Sequence, residues 1–161
     1  TGHVSQAGYN LVASATGPEN MRLISVVIGA NSEQQRAEES KKLLTYGFRF
    51  YQNIQPYKQG AELTKQRIWM GDKMEISLGT DQDINLLVPR NTASKLKADF
   101  QLNRELHAPI KQGEIVGTIF LRIDGKDIAQ HPLVALNTVN EGGIFSRLWD
   151  YLALLIQRIF N

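Results

Sequence analysis

The stretch EIVGTIFLRIDGKDI, residues 114–128, decides the fold class of the larger part of the chain. Side chains alternate between the two faces along residues 114–123, which is typical of a β-strand. Asp124-Gly125 then joins this run to a second one, and Asp-Gly between two such runs is the strongest short signal for a hairpin turn. The stretch therefore predicts an antiparallel hairpin.

Further short strands surround this hairpin. The runs RIWMG, MEISLG, INLLVP and LKADFQL are spaced regularly through the region from about Ile68 to Val139. Short strands at regular spacing, with turn residues between them, predict an antiparallel β-sandwich or small barrel. We assign residues 54–139 to this all-β, sandwich-like domain.

The chain before this domain has a different pattern. Residues 9–16 and 21–29 predict two strands, and the second is apolar on both sides, which suits a strand covered on both faces. A capping-box pattern at Ser32 predicts a helix that ends near Tyr46, with Gly47 as its stop. Two strands and one helix cannot bury these faces alone, so we expect this α+β part to belong to something larger.

The last segment, residues 140–161, begins with the flexible sequence NEGG and continues as an amphipathic helix. Charged residues interrupt the apolar run, so it is too short to span a bilayer. Aromatic and basic residues beside a broad apolar face predict a helix that lies flat in a membrane surface. The predicted anchor residues are Phe145, Leu148, Trp149, Leu152, Leu155, Ile156, Ile159 and Phe160.

Composition excludes several classes of function. The net charge of +2 and the scattered basic residues do not suit nucleic-acid binding. Cysteine is absent, so the chain forms no disulfide or thiolate metal site. The three histidines, His3, His107 and His131, share no metal-ligand spacing. We therefore predict no metal and no organic cofactor.

Three further motifs have a structural and a functional interpretation. Residues 94–97 match S-x-x-K, but they lead into a predicted strand, so we interpret them as a loop and a strand edge. Lys73 in GDKMEIS resembles the hairpin-tip lysine of biotinyl and lipoyl carrier domains, and a structural hairpin is favoured. Arg36 is either a solvated surface residue or, if the start of its helix faces a cleft, part of an anion site.

Taken in order, TGH, AGYNLVASAT, MRLISVVIG, ESKKLLTYGFRF and ELHAP resemble one family. The chain looks like the C-terminal part of a serine-type D-alanyl-D-alanine carboxypeptidase, a low-molecular-mass penicillin-binding protein of the bacterial cell envelope. By this resemblance, residues 1–53 end its catalytic domain. The family's K-T-G motif would place its Lys just before Thr1, so we expect the chain to begin inside that motif.

The resemblance also implies roles for individual residues. A Ser in S-x-x-K attacks the D-Ala-D-Ala peptide bond, and the K-T-G strand lines the other side of the cleft. Substrate would pair with this strand: the Thr1 hydroxyl would bind its terminal carboxylate, Gly2 would allow close approach, and the His3 backbone would pair with its amide. Arg36 matches the family's arginine that helps to recognise that carboxylate.

The sequence departs from the family pattern in what it lacks. It contains no S-x-N, and its only S-x-x-K is the one at residues 94–97. We therefore expect no catalytic residue in this chain, with the nucleophile in a longer parent that trims peptidoglycan pentapeptide, is acylated by β-lactams, and lies on the periplasmic face of the bacterial inner membrane. The alternative is a non-enzymatic, membrane-tethered β-domain that spaces or docks a partner.

Overall fold

The structure is a computed structural model that describes residues 1–4 and 6–143 of the chain. Residues 144–161, which include every predicted anchor residue, lie outside the described residues. The α-helix of the described part is α1 (Glu33–Phe50). The strands are β1 (Gly2–Val4), β2 (Gly8–Thr16), β3 (Arg22–Ala30), β4 (Tyr51–Tyr57), β5 (Glu62–Arg67), β6 (Glu75–Gly79), β7 (Ile84–Pro89), β8 (Leu96–Leu102), β9 (Ile115–Ile123) and β10 (Lys126–Ala135).

The described residues form two compact units. The first unit combines Thr1–Ile54 with Asn85–Ser94, and the second combines Gln55–Ile84 with residues 95–143. Mostly antiparallel β-structure with one long helix is confirmed for the described residues. The sandwich-like layering and the domain limits of 1–53, 54–139 and 140–161 stay predictions.

In the first unit, β1, β2 and β3 form an antiparallel sheet in that order, and α1 packs on one of its faces. A one-turn 3₁₀ helix, Pro18–Asn20, connects β2 to β3. Gly17 precedes this turn, and a Cβ added there would lie 2.5 Å from the ring of Phe48 on α1. The small residue therefore allows the turn to pass under the helix.

The start of α1 is as the capping-box pattern predicted. The Ser32 hydroxyl accepts a hydrogen bond from the Gln35 backbone N–H at 3.1 Å, and the Gln35 side chain accepts one from the Asn31 N–H at 2.9 Å. The first contact satisfies an amide group that the first turn of a helix leaves without an intrahelical partner, and the second ties the residue before the cap to that turn.

The predicted end of α1 is wrong. The helix continues through Gly47 to Phe50, and the Tyr51 N–H bonds to the Gly47 carbonyl. A Cβ on Gly47 would collide with the Leu23 side chain of β3. Because the glycine faces the sheet, its small size serves helix–strand packing and does not stop the helix.

The two faces of β3 differ within the described residues, and cover on both sides of the strand stays a prediction for the longer protein. On the helix side, Ser25 is buried. On the other side Ile24, Val26 and Ile28 are 64%, 55% and 76% exposed, and Val12 of β2, opposite Val26 in register, is 63% exposed. The described residues place α1 on one face only, which leaves an apolar surface on the other.

The second unit contains a five-stranded antiparallel sheet in the order β5-β6-β10-β9-β8. The predicted hairpin is confirmed: β9 pairs with β10 across Asp124 and Gly125, whose φ angles of 50° and 79° are those that a two-residue type I′ turn requires. INLLVP does not join this sheet, because as β7 it pairs with β4. The most deeply buried side chains of the unit include Ile68, Ile76, Leu78, Ile119, Leu121, Leu133 and Val139.

Candidate functional site

The strand β1 lies at an edge of the sheet of the first unit. It pairs with β2 through Gly2–Asn10, His3–Tyr9 and Val4–Gly8. Within the described part of the chain, no strand pairs with its other side. An edge of this kind presents unpaired backbone groups that can bind an extended peptide by adding a strand.

Arg36, on the first turns of α1, is buried against this edge strand. Its Nη1 donates hydrogen bonds to the carbonyl oxygens of Gly2 and Asn10, both at 3.3 Å. Its guanidinium also lies over the Tyr9 ring, 5.6 Å from the ring centre. Arg36 therefore holds β1 to β2 and to the start of α1.

The same contacts define the direction of the backbone in β1. Gly2 and Asn10 lie opposite each other, and one nitrogen can reach both carbonyl oxygens only if both point into the space between the strands. Neighbouring pairs in an antiparallel ladder alternate, so the backbone groups of His3 point outward, to the unpaired side of β1. The backbone groups of His3 therefore lie on the side of β1 that no described strand pairs with.

The second terminal nitrogen of Arg36 has a different partner. Nη2 donates to the Glu33 carboxylate at 2.7 Å, an ion pair three residues apart along the helix. The Arg36 side chain is 10% exposed, whereas that of Glu33 is 78% exposed. Nη2 therefore meets an exposed side chain, and Nη1 meets the backbone of two paired strands.

The structure brings together most of the residues that the sequence singled out. Thr1 and Gly2 are exposed, and Arg36 bonds directly to Gly2. Their roles toward a substrate stay predictions. The surface alternative for Arg36 is wrong, because the residue is 9% exposed. Sequence reasoning missed Glu33, although its spacing from Arg36 is a usual one for a helical ion pair.

The other candidate motifs lie apart from this edge strand in the sequence. Ser94 is exposed in a 3₁₀ turn, Ala93–Lys95, and Lys97 lies in β8 as the strand interpretation predicted. Lys73 is an exposed residue of the bend before β6. Among residues 1–4 and 6–143, no group of three His, Cys, Asp or Glu could hold a metal ion.

A charged cluster on the second unit lies across β8, β9 and β10. Arg122 donates to Asp99 at 2.6 Å and also to Asp127. The hydrogen bond to Asp127, followed by that to Asp99, raises the pKa of Arg122 above its ordinary value. Because two carboxylates already bind this guanidinium, the cluster ties neighbouring strands together and is a poor anion site.

Comparison with known proteins decides the family. The model for the penicillin-binding protein 5, C-terminal domain, matches residues 51–141, more than half of the chain. The chain belongs to the penicillin-binding protein 5 C-terminal domain family. The resemblance to the low-molecular-mass penicillin-binding proteins is thereby confirmed.

Relatives of this penicillin-binding protein 5 family member also match the residues before 51. The chain is 48% identical to the D-alanyl-D-alanine carboxypeptidase DacA of Escherichia coli (strain K12), over 100% of this chain and 40% of that protein. It is 46% identical to DacC of the same strain, with the same coverage of 100% and 40%. The chain thus spans about 40% of the length of these curated relatives.

Solved structures of the family share the fold. The structure of penicillin binding protein 5 from Haemophilus influenzae matches with a TM-score of 0.76 and 44% identity, over 87% of this chain and 41% of that one. The D-alanyl-D-alanine carboxypeptidase DacD from Francisella tularensis matches with a TM-score of 0.69 and 36% identity, over 88% and 35%. Both likenesses extend beyond the residues that the family model matches, because that model covers only residues 51–141.

Proposed function

We propose that this chain is part of a peptidoglycan D-alanyl-D-alanine carboxypeptidase, and that its first unit supplies one wall of the active-site cleft. The observation that carries the proposal is the edge strand β1, held by Arg36 with the His3 backbone pointing to its unpaired side. The identity of 48% to a D-alanyl-D-alanine carboxypeptidase, which covers all of the chain, supports the same activity for the whole protein.

In this proposal, the end of the pentapeptide adds to β1 as an antiparallel strand. The exposed Thr1 hydroxyl donates to the terminal carboxylate, and Nη2 of Arg36 binds the same group. Among the described residues, no atom lies within 4 Å of the position that a Cβ would take on Gly2, which leaves room for substrate to approach the backbone there. The outward backbone of His3 pairs with the substrate amide.

The chemistry proceeds with residues of the longer protein. A Ser hydroxyl attacks the carbonyl carbon of the D-Ala-D-Ala bond, its proton passes through the neighbouring Lys to the leaving amine, and terminal D-Ala departs. Water then hydrolyses the ester. β-Lactams acylate the same Ser. The chain itself contains no S-x-N, and its S-x-x-K divides between a 3₁₀ turn and β8, so we expect it to be inactive alone.

The exposed apolar face of the first sheet supports the same division of labour. This face is an exposed apolar patch, whose contact with water is unfavourable. It is formed by Val12, Ile24, Val26 and Ile28. We propose that this face packs against the remainder of the catalytic domain in the whole enzyme. The larger share of each relative, which lies outside this chain, is long enough to supply that cover.

For the second unit and the last segment, we propose a spacer and an anchor. Residues 145–160 would lie in the membrane surface and hold the enzyme at the periplasmic face of the inner membrane. Within residues 1–4 and 6–143, no helix has the length and apolar character to cross a bilayer. A membrane-tethered β-domain that only docks a partner is the second candidate, favoured by the independent core of the five-stranded sheet.

Labelling with a fluorescent penicillin separates the two candidates. We expect the full-length protein to form a stable covalent adduct and the 161-residue chain to form none. An adduct on Ser94 of the chain would contradict the assignment of the nucleophile to other parts of the enzyme. A full-length protein that folds but takes no label would favour the docking domain.

A further inference from the structure

The two terminal nitrogens of Arg36 bind partners of different kinds. Nη1 bonds to two backbone carbonyls, those of Gly2 and Asn10, which lie opposite each other in β1 and β2. Nη2 bonds to one carboxylate oxygen of Glu33 at 2.7 Å. A guanidinium presents its donors in a rigid planar fork, so the Nη1 contacts also fix the direction in which Nη2 points.

Glu33 can leave Nη2 without breaking the two backbone contacts of Nη1. Its side chain is 78% exposed and lies in the first turn of α1, one residue after the Ser32 cap. An ion pair with one exposed partner is weak, because water solvates the released carboxylate well. The Nη1 partners, by contrast, belong to the backbone of two paired strands. Replacement of the Glu33 carboxylate at Nη2 by another carboxylate therefore costs less than any change in the Nη1 contacts.

We infer that Glu33 and the terminal carboxylate of the substrate compete for Nη2 of Arg36. This inference rests on the proposed function, because it takes Arg36 as a binding group for that carboxylate. Glu33 is then a specificity-determining residue: it raises the KM for peptides that end in a carboxylate. It leaves kcat unchanged, because the terminal carboxylate is bound equally in the ground state and in the transition state.

The test compares Glu33→Gln with Glu38→Gln in the full-length enzyme. Glu38 is an exposed glutamate of the same helix that bonds to Gln34, so its substitution matches the change in charge away from Arg36. For a peptide that ends in D-Ala-D-Ala, we expect Glu33→Gln to lower KM about two- to fivefold, the range of an exposed ion pair, with kcat unchanged. Glu38→Gln should behave like the wild type.

A binding measurement keeps the inference separate from the activity. Calorimetry measures the affinity for an N-acyl-D-alanine and for its carboxamide. Compared with the wild type, Glu33→Gln should bind the acid more tightly and the carboxamide equally well. In an Arg36→Gln background the same substitution should have no effect. If the wild-type enzyme hydrolyses no peptide, the proposed function fails, and the calorimetry still decides the competition. Equal affinities of Glu33→Gln and Glu38→Gln for the acid overturn the inference.

Discussion

Ser25 of β3 and Ser40 of α1 share a hydrogen bond of 2.6 Å between their hydroxyl oxygens, and both residues are buried. This bond crosses the interface between the helix and the sheet of the first unit. A buried hydroxyl that loses its partner costs more than the bond itself contributes, because its desolvation is no longer compensated. The pair is therefore a local test of how α1 is held.

We predict that Ser40→Ala lowers the free energy of unfolding by about 1–3 kcal/mol, the cost of an unpartnered buried hydroxyl. The double variant Ser25→Ala, Ser40→Ala should lose less than the two single variants together, because no orphaned hydroxyl remains. A double-mutant cycle by chemical denaturation measures this coupling. Strictly additive losses would mean that the two hydroxyls do not depend on each other.

Arg36→Lys in the full-length enzyme tests the fork that holds β1. Lysine keeps the charge but cannot bridge two carbonyls and a carboxylate in one plane. Hydrogen bonds to a charged group are worth about 1.5–3 kcal/mol, so kcat/KM for a D-Ala-D-Ala peptide should fall about tenfold to a hundredfold. Arg22→Lys, at an exposed arginine of β3, is the control. Equal kinetics of the two variants would remove Arg36 from the site.

The proposed role of Thr1 predicts a difference between two small substitutions. Thr1→Val keeps the volume but removes the hydroxyl, and we expect kcat/KM to fall about tenfold to a hundredfold in the full-length enzyme. Thr1→Ser retains the hydroxyl and should keep most of the activity. Steady-state kinetics on the same peptide measures both, and a folded, fully active Thr1→Val would exclude a carboxylate contact.

Gly117→Ala tests the packing of the second unit. A Cβ at this position of β9 would collide with the backbone carbonyl of Gln101 on the neighbouring strand β8. A backbone atom cannot rotate away, so we expect a loss of about 1–3 kcal/mol, as for other overpacked sites. Gly143→Ala, with no atom of residues 1–4 and 6–143 within 4 Å of the added Cβ, is the control in a thermal melt. If Gly117→Ala and Gly143→Ala have the same melting temperature, β8 and β9 move apart at little cost.

The proposed anchor predicts the effect of two charges on its apolar face. Replacing Leu152 and Leu155 with Glu should release the full-length enzyme from lipid vesicles, because charged side chains are expelled from the acyl region. Labelling by fluorescent penicillin should be unchanged, since these residues lie far along the sequence from β1. Binding to vesicles that survives both changes would contradict the anchor.

Local chemistry made parts of the fold predictable from the sequence. The turn at Asp124-Gly125 needs two residues that adopt positive φ angles. The cap of α1 needs a hydroxyl at Ser32 and a glutamine three residues later. Both features depend only on residues that are close together in the sequence. The extension of α1 through Gly47 was not predictable in this way. It depends on Leu23, a residue of another element, and a glycine that packs looks the same in sequence as one that stops a helix.

The candidate site divides along the same line. The resemblance pointed to Thr1, Gly2, His3 and Arg36, because their residue types follow a known pattern. Arg36 also contacts the Asn10 carbonyl and the Tyr9 ring. A backbone carbonyl and an aromatic ring carry no sequence signature of this role, because the β1–β2 register alone brings them to Arg36. Register is a property of paired strands, so no single stretch of sequence contains it.

The second unit is interrupted in sequence, because residues 85–94 between its two segments belong to the first unit. A hybrid enzyme made by joining two relatives at one junction after residue 54 would therefore take β4 mostly from one parent and β7 from the other. These strands pair, so side chains from two different parents would have to pack against each other across the β4–β7 pair. Exchange of the intact unit between relatives therefore requires three junctions, near residues 54, 84 and 94.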